Sequence, residues 1–425
     1  MRTDALRALR HRNFRLFFSG QSLSLIGTWM TRLATSWLVY RLTGSAFLLG
    51  VVTFAGQVPS FLLGPVAGVW ADRWERRRVL LVTQFLAALQ SLALAVLTLS
   101  GRITIPEVIA LSVFQGLINA FDMPARQSFL VRMVGGREDL GNAIALNSTM
   151  VNGARLVGPA VAGLIIAAVG EGYCFLIDGI SYFAVIASLV AMRVEPEPVS
   201  AGGTSLLGEL VEGWTYVSGF APIRTVLLLF AIISFMGVPY MVLMPVFATD
   251  ILHGGPHTLG FLMAAAGVGS LISALRLAAR KSVRGLYRLI PAVAALLGAG
   301  LIVFALSRNF WLSLVLMGVT GFGMMQSMAA SNTVIQTIVD DDKRGRVMSY
   351  YMMAYMGASP LGSLLAGSLA PVIGAPGTVI LCGIGCLAGA AWFWAQLPKL
   401  RPVIRPIYER LGIPPAVPVP MDGEN

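Results

Sequence analysis

The sequence predicts an all-α membrane protein: twelve transmembrane helices in two six-helix bundles, related by a pseudo-twofold axis along the membrane normal. Three observations carry that expectation. Hydrophobic residues make up 56% of the 425 and charged ones only 12%, against about 25% charged in a soluble domain. Such a chain lacks the polar groups to cover a water-facing surface, so much of that surface faces lipid. Apolar runs long enough to cross the hydrocarbon core, about 20 residues each, recur along its whole length. The two halves also repeat. Shifted by 204 positions, Gly141, Gly153, Gly158, Gly163 and Gly170 fall on Gly345, Gly357, Gly362, Gly367 and Gly374. A six-plus-six chain with such a repeat builds two parallel halves.

The runs place spans at 16–40, 45–71, 78–100, 105–130, 143–169, 173–192, 224–248, 258–279, 287–307, 310–336, 346–372 and 377–397. Residues 1–192 then form one bundle and 223–398 the other. Between them, 193–222 opens with Glu195-Pro196-Glu197-Pro198 and Gly202-Gly203, a linker composition. Within it Leu206, Leu207, Leu210 and Trp214 recur at helical spacing, which predicts a short amphipathic helix lying on the membrane surface. The tail, 399–425, is proline-rich and expected to be disordered at its end. The first apolar run is too long for a cleavable signal peptide and lacks a small-residue cleavage site.

Basic residues orient the chain. They crowd the N-terminal arm (Arg2, Arg7, Arg10, Arg12, Arg15) and the loops after even-numbered spans, as at Arg76-Arg77-Arg78, Arg280-Lys281 and Lys343-Arg344. The loops on the other side hold only Arg41, Arg102 and Arg308. This bias predicts both termini in the cytoplasm and a multi-pass protein of the plasma (inner) membrane. The net charge of +11 does not point to nucleic acid, because the arginines sit in short loops between apolar runs. Cys174, Cys382 and Cys386 all fall in spans, which excludes a disulfide framework. His253 and His257 flank Gly254-Gly255-Pro256 and read as loop residues. With no nucleotide loop, metal cluster or catalytic constellation, neither an enzyme nor a cofactor is expected.

The informative residues are polar ones inside spans. A charge at the bilayer centre costs about 2.5–3.5 kcal/mol on insertion scales, so it faces a cavity or a partner. Gln21, Thr28, Arg32 and Thr35 form one polar stripe on span one; Ser148, Asn152, Arg155 and Pro159 form another on span five. Asp178 lies on span six. These residues, with Gln115 and Asn119 of span four and Tyr351 and Tyr355 of span eleven, are the candidate cavity wall. Trp29 and Tyr350 are further aromatic candidates. For Arg155 and Asp178 a structural ion pair tying two helices is an equal alternative. At the cytoplasmic end of span four, Asp122 and Arg126 stand at i, i+4 and can pair.

The stretch Gly64 to Arg78, GPVAGVWADRWERRR, is more specific. Its pattern Gly68-x-x-x-Asp72-Arg73-x-x-Arg76-Arg77 resembles the signature loop of the major facilitator superfamily, with Glu75 where a glycine is usual. The resemblance implies that Asp72 faces the helix start near Arg346 and that Arg76 pairs with Asp122. Gly68, Asp72, Arg73, Arg76, Arg77, Asp122 and Arg126 would then gate the cytoplasmic side. In span five, Gly158-Pro159 and Gly163 look like the Gly-Pro antiporter motif of facilitator-type exporters, where proline bends the helix and glycines admit a neighbour. Drug antiporters carry an arginine where Ser112 stands, so Arg32 is left to supply the missing cation. With Asn13-Phe14-Arg15, Gly20-Gln21, Leu42-Thr43-Gly44-Ser45 and Pro124-Ala125-Arg126-Gln127, the chain resembles the branch that includes the enterobactin exporter. That implies a secondary transporter, monomeric, exporting a small organic substrate across the lipid bilayer in exchange for protons. A lysophospholipid facilitator and a non-transporting sensor or scaffold are the rivals.

Overall fold

The computed structural model describes residues 6–134, 137–193, 206–280 and 282–411, with all side chains except those of 65–66, 68–73, 137, 206–207 and 209–210. Spans one to six are Arg12–Thr43, Ala46–Arg73, Arg76–Leu99, Ile105–Met133, Arg137–Val169 and Glu171–Ala191. A separate helix, Leu206–Gly219, precedes span seven, Ala221–Ile251. Spans eight to ten are Pro256–Ala278, Leu286–Leu306 and Phe310–Ile338. Spans eleven and twelve share the run Arg344–Arg410, divided at Gly374. The twelve-helix, two-bundle architecture is thus the one expected. Span one is the most polar of them, because it carries the stripe around Arg32.

Helix starts follow local chemistry. The Ser45 side chain accepts from the Leu48 amide at 3.3 Å and Asn309 from the Leu312 amide at 3.1 Å, each satisfying an orphan donor of the first turn. The repeated glycines explain themselves in three dimensions. Gly170 (φ 95°) and Gly374 (φ 77°) make the tight junctions between spans five and six and between eleven and twelve, in a backbone region that favours glycine. At Gly158 an added Cβ would stand 2.5 Å from the Trp29 Cβ of span one; at Gly362 it would stand 2.0 Å from the Phe235 carbonyl of span seven. Gly163 abuts Gly260 of span eight, and Gly367 abuts Gly50 of span two. Gly158 and Gly362, Gly163 and Gly367, and Gly170 and Gly374 thus serve like roles at equivalent positions of the repeat.

Spans two and eleven, and spans five and eight, join the halves. The joint is lopsided. One hydrophobic core runs through the second half and continues into the first only near its arginine-poor face, through Leu33, Leu38, Leu49, Ile166 and Phe175. Apolar residues of the first half near the arginine-rich face, among them Phe14, Phe17, Leu80 and Phe129, form a core of their own.

Two expectations change. The twelfth span continues as helix through Pro398, Pro402 and Pro406 to Arg410. Leu400, Ile404 and Tyr408, four apart, are buried against the second half and hold the helix despite its prolines; the rest of the tail, 412–425, lies outside the described residues. The amphipathic helix is present but docks on protein. Glu212 accepts from Lys343 Nζ at 2.5 Å and from Arg346 at 2.7 Å, Tyr216 donates to Asp340 at 3.1 Å, and Trp214 lies 5.9 Å from the Tyr350 ring. Val211 and Trp214 remain exposed.

This clamp is pH-dependent. The hydrogen bond from Lys343, helped by the Arg346 charge, holds the Glu212 carboxyl below its usual range. The same bond holds Lys343 above its own. The Glu212 contribution is present above the unfolded carboxylate value, about 4.3, and is lost as pH falls through the depressed folded value. The Lys343 contribution is present below about 10.4 and is lost as pH rises through the raised one. Hydrogen exchange of 206–219 is expected to be slow and flat from about pH 5 to 10 once intrinsic rates are corrected, and Glu212→Gln to speed it at neutral pH.

Candidate functional site

Span one sets Trp29 and Arg32 one turn apart, and span five brings Arg155 to the same indole. The Arg32 guanidinium carbon is 4.7 Å from the Trp29 ring centroid and that of Arg155 is 5.5 Å. Gly158 permits this, since any Cβ there would strike Trp29 and the Ile26 carbonyl. A guanidinium over an indole gains about 0.5–2 kcal/mol, so the ring helps to hold two like charges near each other.

Arg32 is exposed, and groups of three other helices lie within its electrostatic reach: Arg155 of span five, Tyr182 and Asp178 of span six, and Tyr355 of span eleven. Arg155 is half-buried and lies within electrostatic reach of Tyr240 on span seven. Both cations therefore stand on the side of the first half that faces spans seven and eleven of the second. On those two spans, Phe230 stacks on Tyr351 at 4.4 Å and on Tyr355 at 6.0 Å.

The other expected wall residues fall at different depths. Thr28 is half-buried, donating to the Ser24 carbonyl at 3.0 Å, with the Tyr182 hydroxyl 3.4 Å away. Gln115 donates to Asn119 at 3.1 Å, both half-buried on span four. Tyr355 is half-buried as well. Four of the expected wall residues are buried. Tyr351 is 1% exposed and donates to the Met328 carbonyl at 2.8 Å, so its ring is core and its polar tip is used. Gln21 is 2% exposed, on the buried side of span one. Asn152 is buried and donates to the Ser148 carbonyl at 2.8 Å. Asp178 is 1% exposed and not paired with Arg155; its Oδ2 accepts from Thr31 at 2.8 Å and Ser91 at 2.9 Å. It ties spans one, three and six, with Gly27 making room for its other oxygen. A polar stripe shows which helix face is polar, not whether water or a neighbouring helix meets it.

At the arginine-rich end, Asp122 is buried, pairs with Arg126, and accepts from Thr83 at 2.9 Å and Gln84 at 2.7 Å. The i, i+4 pair is therefore formed. Arg77 donates to the Leu189 and Val190 carbonyls at 2.9 Å, a cation capping the C-terminal end of span six. The side chains of Gly68, Asp72 and Arg73 lie outside those described. Gly163 packs on span eight, as the motif required, while span five runs as one helix through Pro159.

The polar contacts between halves share this asymmetry. Tyr40, ending span one, donates to Asp250, ending span seven, at 2.5 Å on the arginine-poor face, and Ser359 donates to Gln57 at 3.3 Å nearer the middle. Arg41 and Glu171 pair beside the first of these. Among the described residues, no hydrogen bond or ion pair joins the halves at the arginine-rich face. Trp29 was visible in the sequence as an aromatic candidate; Tyr182 and Tyr240 were not, since each sits in an apolar run without a polar stripe.

A family model described as "Transmembrane secretion effector" matches residues 3–404. The chain belongs to this family. It is a major facilitator superfamily transporter of the efflux type, and not an enzyme. It is 28% identical to the staphyloferrin A transporter of Staphylococcus aureus over 91% of this chain and 97% of that one. It is 29% identical to the multidrug efflux pump Tap of Mycolicibacterium fortuitum over 88% and 93%. Among solved structures, a bacterial homologue of the human lysosomal transporter Spinster, inward-facing and unoccupied, superposes with a TM-score of 0.69 at 12% identity, over 91% of this chain and 96% of that one. That likeness is one of fold.

Proposed function

We propose that this transporter exports a small organic anion with an apolar or flat body across the plasma membrane, by alternating access, in exchange for protons. One observation carries the reading: two guanidiniums, Arg32 and Arg155, share Trp29, on what we read as the wall of a hollow between the halves, and among the described residues no ion pair holds either. An anionic group neutralises them, and the aromatic residues opposite suit the remainder. The names of the relatives, a staphyloferrin A transporter and a multidrug efflux pump, support a small organic cargo. With the arginine-rich face read as cytoplasmic, the contacts that join the halves at the arginine-poor face support an inward-facing state. An anion leaving a negative-inside cell and a proton entering it both move with the potential, at about 2.3 kcal/mol per charge per 100 mV.

The test is uptake of radiolabelled 1-naphthoate into inverted vesicles whose lumen is acidified. Accumulation is expected to depend on the protein and to collapse with an uncoupler. Uptake that ignores the proton gradient refutes the coupling; uptake equal in vesicles lacking the protein refutes the reading.

Opening the other side requires breaking the Tyr40–Asp250 bond. A hydrogen bond to a charged group is worth about 1.5–3 kcal/mol. Tyr40→Phe is therefore expected to favour the outward-open state about tenfold or more, seen as faster labelling of a cysteine in the hollow by an impermeant thiol reagent from outside.

A further inference from the structure

Span seven is not a regular helix. It runs as α-helix over Ala221–Ile232, widens to a π turn over Ile233–Gly237, and tightens to a 3-10 turn over Pro239–Leu243. After one α turn, Met244–Val246, it widens again over Phe247–Ile251. The switch from wide to tight falls at mid-membrane, where Gly237 and Pro239 flank Val238. Irregular backbone at that depth is tolerated only where it is buried in protein or lines a cavity, and mid-helix π and 3-10 turns often mark functional hinges.

Tyr240 sits in that tight turn. It is 1% exposed, and among the described residues its hydroxyl has no hydrogen-bond partner. Buried hydroxyls are rarely left so, because the lost hydration is not returned. Arg155 of span five, in the other half, and Tyr355 of span eleven lie within electrostatic reach of it. Arg155 is a donor only, so it offers the phenol proton no acceptor. An oxyanion accepts from both.

We infer that Tyr240 and Arg155 form a subsite for one oxyanion of the cargo, a carboxylate or a group of like geometry, spanning the two halves. The inference rests on the anion-export reading above and deepens it. The guanidinium supplies charge, and the phenol donates its proton as the tight turn of span seven adjusts. Because the donors belong to different halves, an anion held by both draws spans five and seven together, which is the movement that occludes the hollow. A neutral cargo of the same shape leaves the phenol unsatisfied.

The test uses purified full-length protein with radiolabelled 1-naphthoate and its neutral isostere 1-naphthamide. Wild type is expected to prefer the acid. Tyr240→Phe is expected to weaken acid binding about tenfold, the worth of one hydrogen bond to a charged group, and to leave amide binding unchanged. Arg155→Gln should do likewise, and the double variant should lose less than the product of the two. Thermal melting gives an independent readout that does not depend on ligand. Removing an unpartnered hydroxyl should raise the ligand-free melting temperature of Tyr240→Phe, and 1-naphthoate should then raise it less than in wild type. Wild-type acid binding by Tyr240→Phe, or a ligand-free melting temperature below wild type, overturns the subsite while the anion reading stands. Equal binding of acid and amide by wild type overturns both.

Discussion

Arg32→Gln and Arg155→Gln, made singly, are each expected to lower 1-naphthoate export by at least about tenfold in kcat/KM, because each removes a charge that the anionic cargo would meet. The loss should fall mainly on the acid and spare a neutral analogue. Lysine is not expected to restore either position, since both side chains lie over the Trp29 ring and only a planar guanidinium stacks there while keeping its donors free. The double variant should be little worse than the poorer single one, for the two cations act on one ring and one cargo. Vesicle uptake across the four proteins checks this, with melting temperature as the control for folding. Losses that are equal for acid and amide would instead mean that the arginines support the fold.

The second large effect is conformational. A valine at Gly260 would bring a Cβ within 2.6 Å of the Pro159 carbonyl, and one at Gly367 within 2.9 Å of the Ala46 carbonyl. Both obstacles are backbone of the opposite half, so neither gives way as a side chain would. Overpacking of this kind costs about 1–3 kcal/mol, and the cost applies only while the arginine-poor face is closed. Either substitution is thus expected to shift the population toward the state open on that face by about five- to 150-fold. Because the two contacts are equivalent under the internal repeat, the two variants should behave alike. Gly141→Ala, where an added Cβ meets nothing within 4 Å, should shift nothing. Distances between spin labels at the arginine-rich ends of spans five and eight report the change; unaltered distances in both valine variants would mean that the glycines do not hold this state.

Much of the architecture could be read before any coordinates. Lipid imposes its demands on each helix separately: a span must be apolar along its length, its basic residues collect at one side, and a charge within it needs a reason. Such rules act on single residues and short runs, so they leave a one-dimensional trace. The spans, the repeat of Gly158 and Gly163 in Gly362 and Gly367, and the oddity of Arg32 and Arg155 were legible for that reason. The local pair Asp122–Arg126 was legible too, since i, i+4 neighbours meet on any helix. The depth of a polar residue was not. Arg32 and Gln21 share a stripe, yet one is exposed and the other buried. Asp178 and Tyr351 have residues of other spans for partners, Thr31, Ser91 and Met328. The docking of 206–219 on span eleven, the break in span seven and the unpartnered Tyr240 likewise depend on which helix lies next to which. That adjacency is settled by packing between segments far apart in the chain, where no local pattern reaches.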